Sequence, residues 1–194
     1  MLDNNALLMT NDDYLMKKAG PNYYRVFSSN LLFWTNSNSH LFEINTTNSH
    51  TINAPYGSRQ IGVLNRIPNS PLDIVKKIKD RVIEVEKIND WILDPNFEDA
   101  IGINREGGSI HTHTDMNVDG YTHVRYNIIL SYPEQGGHSI YNGKINELKE
   151  RMVWRCVAGK VKHGSTPVIG EKPRITLTLG FQIKDVVKNT KSFI

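Results

Sequence analysis

From residue 99 onward the chain is cut into short runs suited to β-strands, and this texture restricts the fold more than any other feature. Residues 100–104, 109–115, 121–131, 139–141, 152–157, 160–163 and 174–183 carry most of the β-branched and aromatic residues of this half, with glycine and proline turns between them. Strands this short and regularly spaced suggest a sandwich or barrel. Ahead of them lies one clear helix. It starts near Ser70-Pro71, with serine as N-cap and proline in the first helical position. Ile74, Ile78, Val82 and Val85 then recur at three to four residues, with Lys and Asp between them, which is the stripe of a helix lying on a flat apolar surface. The stripe fades at Asn89-Asp90, and residues 91–93 continue or cap it before Pro95. Further upstream, 23–27 and 31–35 read as strands and 41–44 as a weak one.

The expected class is therefore mostly β (α+β): a jelly-roll (double-stranded β-helix) core with an N-terminal α/β flank that packs one helix on a sheet face. The expected layout is a single domain over 1–194, with a flank over 1–99, its main helix at about 71–90, and the core over 100–185. A 39% hydrophobic and 22% charged composition is that of a soluble globular chain. One cysteine, Cys156, excludes an internal disulfide and any cysteine-rich zinc or iron–sulfur site. No apolar run approaches a membrane span and the N-terminus lacks a secretory pattern, so the cytoplasm is the expected compartment. A net charge of +3 points at no polyanion. Lys76-Lys77-Ile78-Lys79 sits on the helix and reads as its solvated face, so neither nucleic acid nor membrane is an expected partner. The sequence leaves the oligomeric state open.

The densest polar cluster is Ile110-His111-Thr112-His113-Thr114-Asp115. On a strand, alternate residues share a face, so His111, His113 and Asp115 project together, and a histidine and a carboxylate at this spacing can grip one metal ion. His163 follows in a second strand-like segment. Two imidazoles and one carboxylate on one side of an ion leave its other positions open, the facial triad of non-haem Fe(II) oxygenases. Arg174 opens the last strand, with Arg174, Thr176 and Thr178 on one face and Ile175, Leu177, Leu179 and Phe181 on the other. An arginine with a hydroxyl two residues on makes a fork for a carboxylate. Arg125 and Asn127 share a face of the strand over 121–131; one or both line a pocket and touch co-substrate or substrate, or Arg125 lies at a rim where its head reaches water. Tyr126 would then point between sheet and helix. Tyr141, His123 and Trp154 could line a substrate mouth, and 36–57 and 115–120 are candidate lids.

From about Ala100 to Phe181 the chain resembles the Fe(II)/2-oxoglutarate-dependent dioxygenases, whose signature is H-x-D, a distal histidine and a basic residue about ten positions later. His163-Gly164-Ser165-Thr166-Pro167-Val168-Ile169-Gly170-Glu171-Lys172-Pro173-Arg174 and the Gly136-Gly137 turn resemble the prolyl-hydroxylase-like branch. The resemblance implies metal ligation by His113, Asp115 and His163, with 2-oxoglutarate bound by Arg174 and Thr176. It also implies Fe(II) and O2, and hydroxylation of an unactivated C–H with succinate and CO2 as co-products. The substrate would be a peptidyl residue such as proline, an amino acid or a small metabolite. Related halogenases replace the carboxylate ligand by a small residue; Asp115 is present, which favours hydroxylation. Lys172 is a rival for Arg174, but it precedes Pro173 and belongs to the turn. A cupin-type metal enzyme would use His111 and His113 as paired ligands, and would want a glutamate where the chain has Thr114 to Asn117. A non-catalytic jelly-roll module binding sugar or nucleic acid would leave the histidines structural.

Overall fold

The structure is a computed structural model, and it describes residues 7–8, 15–20, 23–25, 29–44, 55–95 and 98–184. The expected strand over 23–27 and the expected lid over 36–57 lie partly outside the described residues. In chain order the flank holds β1 (Leu7–Leu8), β2 (Leu15–Gly20), β3 (Tyr23–Arg25), α1 (Ser29–Asn38), β4 (Glu43–Ile44), β5 (Arg59–Val63), α2 (Leu72–Glu86) and β6 (Trp91–Leu93). There follow β7 (Asp99–Asn104), β8 (Ile110–His113), β9 (Tyr121–Ser131), β10 (Gln135–Gly136), β11 (Ser139–Tyr141) and β12 (Lys144–Asn146). The last four are β13 (Met152–Cys156), β14 (His163–Ser165), β15 (Val168–Ile169) and β16 (Arg174–Lys184).

The strands form a large antiparallel sheet, β1-β2-β3-β13-β9-β16-β7-β5-β4 with β6 also paired to β16, and a small one, β12-β11-β14-β8. A short β10-β15 ribbon joins them. This is the expected mostly-β class with a jelly-roll core. Flank strands β3, β4, β5 and β6 hydrogen-bond into the same sheet as the core strands, so the sheet runs across residue 99. The pleat of β16 sorts its side chains as its alternation predicts. Ile175, Leu177, Leu179 and Phe181 enter the main core with Val75, Ile78 and Val82 of α2 and with Leu31 of α1. Arg174, Thr176 and Thr178 point the other way, towards the small sheet. Among the described residues two helices, not one, therefore cover the outer face.

Four local expectations are corrected. Residues 31–35 are helical rather than a strand: Leu31 and Thr35, one turn apart, are both fully buried, Thr35 Oγ1 donates to Leu31 O at 2.8 Å, and Phe33 faces solvent. Aromatic and apolar residues favour strands only where a pleated surface receives them, and here a helical spacing buries the right pair. In α2 the N-cap is Pro71, and the Ser70 hydroxyl donates instead to Leu64 O at 2.6 Å. The helix ends at Lys87, in the left-handed region at φ 54°, where the Lys87 and Ile88 N–H groups bond back to Glu84 O and Ile83 O. Trp91–Leu93 then leaves as β6 against Phe181, Gln182 and Ile183, so it neither continues nor caps the helix. The strand expected over 160–163 begins only at His163, because Lys160 and Val161 close a turn on Val157 O.

Lys79, expected on the solvated face of α2, is instead buried. Its ammonium donates to Asp99 Oδ1 at 2.7 Å and lies 4.8 Å from the Phe181 ring centre. Removing it strands Asp99, whose carboxyl burial already pushes upward. Lys79→Ala should lower the unfolding free energy by roughly 3 kcal/mol, and Lys79→Met by about half as much because its chain still covers Trp91 and Phe181. Denaturant midpoints of the two variants check this; equal losses would mean the aliphatic stem contributes nothing, and no loss in Lys79→Met would mean the charge pair contributes nothing.

Candidate metal centre

The small sheet brings the two histidines together. β14 runs antiparallel to β8 with His163 directly opposite His113, and the imidazole centres are 4.5 Å apart. Gly164 permits this approach, since a Cβ there would lie 2.6 Å from Ile110 O. Asp115 stands two residues beyond β8, where its backbone N–H donates to Ala158 O at 2.9 Å. Ligand atoms of His113, Asp115 and His163 all lie within 4.8 Å of one another. Asp115 Oδ1 is 3.2 Å from His113 Nε2 and 3.7 Å from His163 Nε2. Each ring turns its Nδ1 to the carbonyl two residues earlier, His111 O at 2.7 Å and Val161 O at 3.1 Å. An Nδ1–H donating there leaves both Nε2 lone pairs aimed at the same carboxylate oxygen, the tautomer a metal needs.

The other oxygen of Asp115 is held from behind. Arg125 Nε donates to Oδ2 at 2.6 Å, and His123 Nδ1 lies 3.4 Å from it. His123 is buried, with its Nε2 3.3 Å from Oδ2 of the fully buried Asp94. Burial opposes ionisation of Asp115. The contact with His113 and the positive charges of Arg125 and, when protonated, of His163 and His123 outweigh it, holding the carboxyl well below the usual carboxylate range. His163 is pushed down to about 4, chiefly by burial, which the Asp115 charge only partly offsets. The centre thus pairs a His163 imidazole that resists protonation with an ionised carboxylate.

Across a cavity of about 100 Å³ the large sheet presents Arg174, Thr176, Thr178, Asn127, Arg125 and Trp154. Arg174 is buried, its Nη2 donating to Ser139 Oγ at 3.0 Å, while its Nε and the Thr176 hydroxyl are buried without hydrogen-bond partners. Two unfilled polar groups two residues apart on one wall cost stability unless a ligand fills them. Lys172 is elsewhere: it is exposed and pairs with Glu150 Oε1 at 2.7 Å. Asn127 Oδ1 accepts from Thr178 Oγ1 at 2.8 Å.

No family model matches the sequence, and no curated protein does either. Solved structures do share its architecture. A prolyl hydroxylase of Trichoplax adhaerens, in complex with a hypoxia inducible factor peptide fragment, aligns at TM-score 0.57 and 12% identity over 80% of each chain. A Pseudomonas putida prolyl-4-hydroxylase aligns at 0.51 and 14%, over 80% of this chain and 84% of its own. HygX of Streptomyces hygroscopicus, with nickel, 2-oxoglutarate and hygromycin B bound, aligns at 0.58 and 10%, over 89% of this chain and 83% of its own. The chain has the prolyl-hydroxylase fold.

Within this prolyl-hydroxylase fold, the structure brings His113, Asp115, His163, Arg125, Asn127, Arg174 and Thr176 to one cavity. His111 is exposed and outside the ligand group, which removes the paired histidines of the cupin reading. His123 lies behind Asp115 rather than at a mouth. Trp154 lines the cavity, with Tyr141 edge-on to it at 5.5 Å. The loop over 115–120, expected as a lid, is tied down: Gln182 accepts from Val118 N–H and donates to Met116 O, and Asn117 caps His123 N–H. Arg59, Asp94, Asn104 and Ser139 were not anticipated. The alternation of 100, 102 and 104 could have disclosed Asn104; nothing local marks the other three.

Since His163 resists protonation in the fold, the unfolded chain takes up a proton below about pH 6.5 that the folded chain refuses until about 4. Stability of the metal-free protein should therefore fall as pH drops from 6.5 to 4, by roughly 3 kcal/mol at most. His163→Gln should flatten that part of the curve. Parallel curves for the two proteins over this window would refute the assignment.

Proposed function

We propose that the chain is an Fe(II)/2-oxoglutarate-dependent oxygenase that hydroxylates an unactivated C–H, with succinate and CO2 as co-products. One observation carries the reading: two Nε2 atoms and one carboxylate oxygen converge opposite a buried arginine whose Nε is unfilled. The donor set suits a ferrous ion, since imidazole and carboxylate both bind it and three protein ligands leave positions for other groups. Iron held there supplies the activation of O2 that couples oxidation of 2-oxoglutarate to oxidation of the C–H bond.

The chain's own residues supply binding and orientation. Arg174 takes the distal carboxylate of 2-oxoglutarate bidentately, and the Thr176 hydroxyl donates to the same group. Ser139 fixes the guanidinium plane. Arg125 and His123 hold Asp115 ionised and directed at the metal, so its charge need not be recruited when the ion binds. The Trp154 ring, which lines the cavity, excludes water from part of it. The structural neighbours, a peptide-bound prolyl hydroxylase and HygX with 2-oxoglutarate, support the class and span peptide and small-molecule substrates. We read this chain's substrate as falling in the same range, and its setting as cytoplasmic; among the described residues no helix is long and apolar enough to cross a membrane.

Arg174→Gln should weaken 2-oxoglutarate binding to the Mn(II)-loaded protein at least tenfold, about 1.4 kcal/mol, while Lys172→Gln leaves it unchanged. Asp115→Ala and His113→Ala should abolish succinate formation. Calorimetric titration and succinate assay measure these. Undiminished 2-oxoglutarate affinity in Arg174→Gln, or full succinate formation in Asp115→Ala, would overturn the reading.

A further inference from the structure

The cavity holds a third guanidinium that the proposed reaction does not use. Arg59 opens β5, and the pairing of β5, β7 and β16 places Arg59, Asn104 and Arg174 in one row across three strands. Two strand spacings separate the Arg59 and Arg174 backbones, roughly 10 Å. Arg59 lines the same cavity, its Nε and Nη1 are shut off from water, and neither has a hydrogen-bond partner. Among the described residues no carboxylate lies within ion-pair distance of it. The other two arginines are accounted for: Arg125 by Asp115, and Arg174 by Ser139 and the proposed co-substrate.

Such a group is expensive to keep. Burial first, then the charges of Arg125 and Arg174, push Arg59 down to about 10, so it remains a cation in a cavity already rich in positive charge. A buried cation without a counter-charge is retained where a ligand brings the anion. Both carboxylates of 2-oxoglutarate already have destinations, one at the metal and one at Arg174.

We infer that Arg59 binds a carboxylate of the substrate, so that the molecule hydroxylated is an organic acid or amino acid with a free carboxylate. This rests on the oxygenase reading and narrows it. The guanidinium would clamp the carboxylate inside the cavity and present a nearby C–H to the centre, while Arg174 keeps the co-substrate. Neutral substrates of the same shape would leave Arg59 unpaired and bind poorly.

The test uses Mn(II)-loaded protein with saturating 2-oxoglutarate and acetate as the carboxylate probe. Paramagnetic relaxation of the acetate carbons by Mn(II) reports a carboxylate held near the metal. Wild type and Arg59→Lys should enhance acetate relaxation, and Arg59→Gln should reduce the enhancement at least fivefold while changing 2-oxoglutarate affinity less than threefold. Arg59→Gln should also raise the thermal midpoint of the ligand-free protein, since it removes a half-buried charge whose Nε and Nη1 lack partners, so misfolding is not its expected fault. Absent enhancement in wild type, or equal enhancement in Arg59→Gln, overturns the proposal. So does a loss of 2-oxoglutarate affinity in Arg59→Gln as large as in Arg174→Gln, which would make Arg59 a co-substrate anchor. Failure of wild type to bind 2-oxoglutarate at all would instead strike the oxygenase reading, and the acetate comparison would still decide whether Arg59 holds an anion.

Discussion

The antiparallel pairing of β14 with β8 governs everything else in this protein. It sets His163 against His113, and the Gly164 backbone lets the two strands approach closely enough for their imidazoles to share one carboxylate oxygen. A slip of one residue would turn His163 to the other face of the small sheet and leave the Asp115 pair without a third donor. The small sheet is short, so its register depends on the large sheet, through the turns at 157–161 and the β10-β15 ribbon.

The large sheet divides its labour by the pleat. One face joins α1 and α2 in an apolar core; the other carries three arginines, Asn104, Asn127 and two threonines into a closed space. The concentration of cations there is intelligible only with anions present: Asp115 is the one carboxylate among the residues lining that cavity. Protein stability and ligand binding are thus opposed at these positions, the usual relation where polar groups are prepared for a partner. Behind Asp115, the Asp94 and His123 pair extends the polar network into the core, which ties the metal-facing carboxylate to β9 and the start of the loop after β6.

Strand alternation made much of this legible in advance. In β16 the contrast between Arg174, Thr176, Thr178 and the intervening apolar residues reads correctly because both faces are buried against different materials. His113, Asp115 and His163 were visible as residue types at suggestive spacing, although Asp115 sits beyond the strand end and reaches the site by turning onto Ala158 O. What stayed hidden needed partners distant in sequence. Residues 31–35 read as a strand because their burial pattern depends on the sheet they cover. His123 looked like a mouth residue because Asp94, which accounts for its burial, lies 29 positions earlier. Arg59 stands in a polar stretch, and only the β5-β7-β16 register brings it to the cavity.

The account stands on one metal held by three side chains from β8, the following loop and β14. Crystals of the protein grown with Fe(II) under anaerobic conditions, measured at the iron absorption edge, test it directly. The account predicts a single anomalous peak bonded to His113 Nε2, Asp115 Oδ1 and His163 Nε2. An iron peak elsewhere, or one engaging His111 in place of His163, would contradict it.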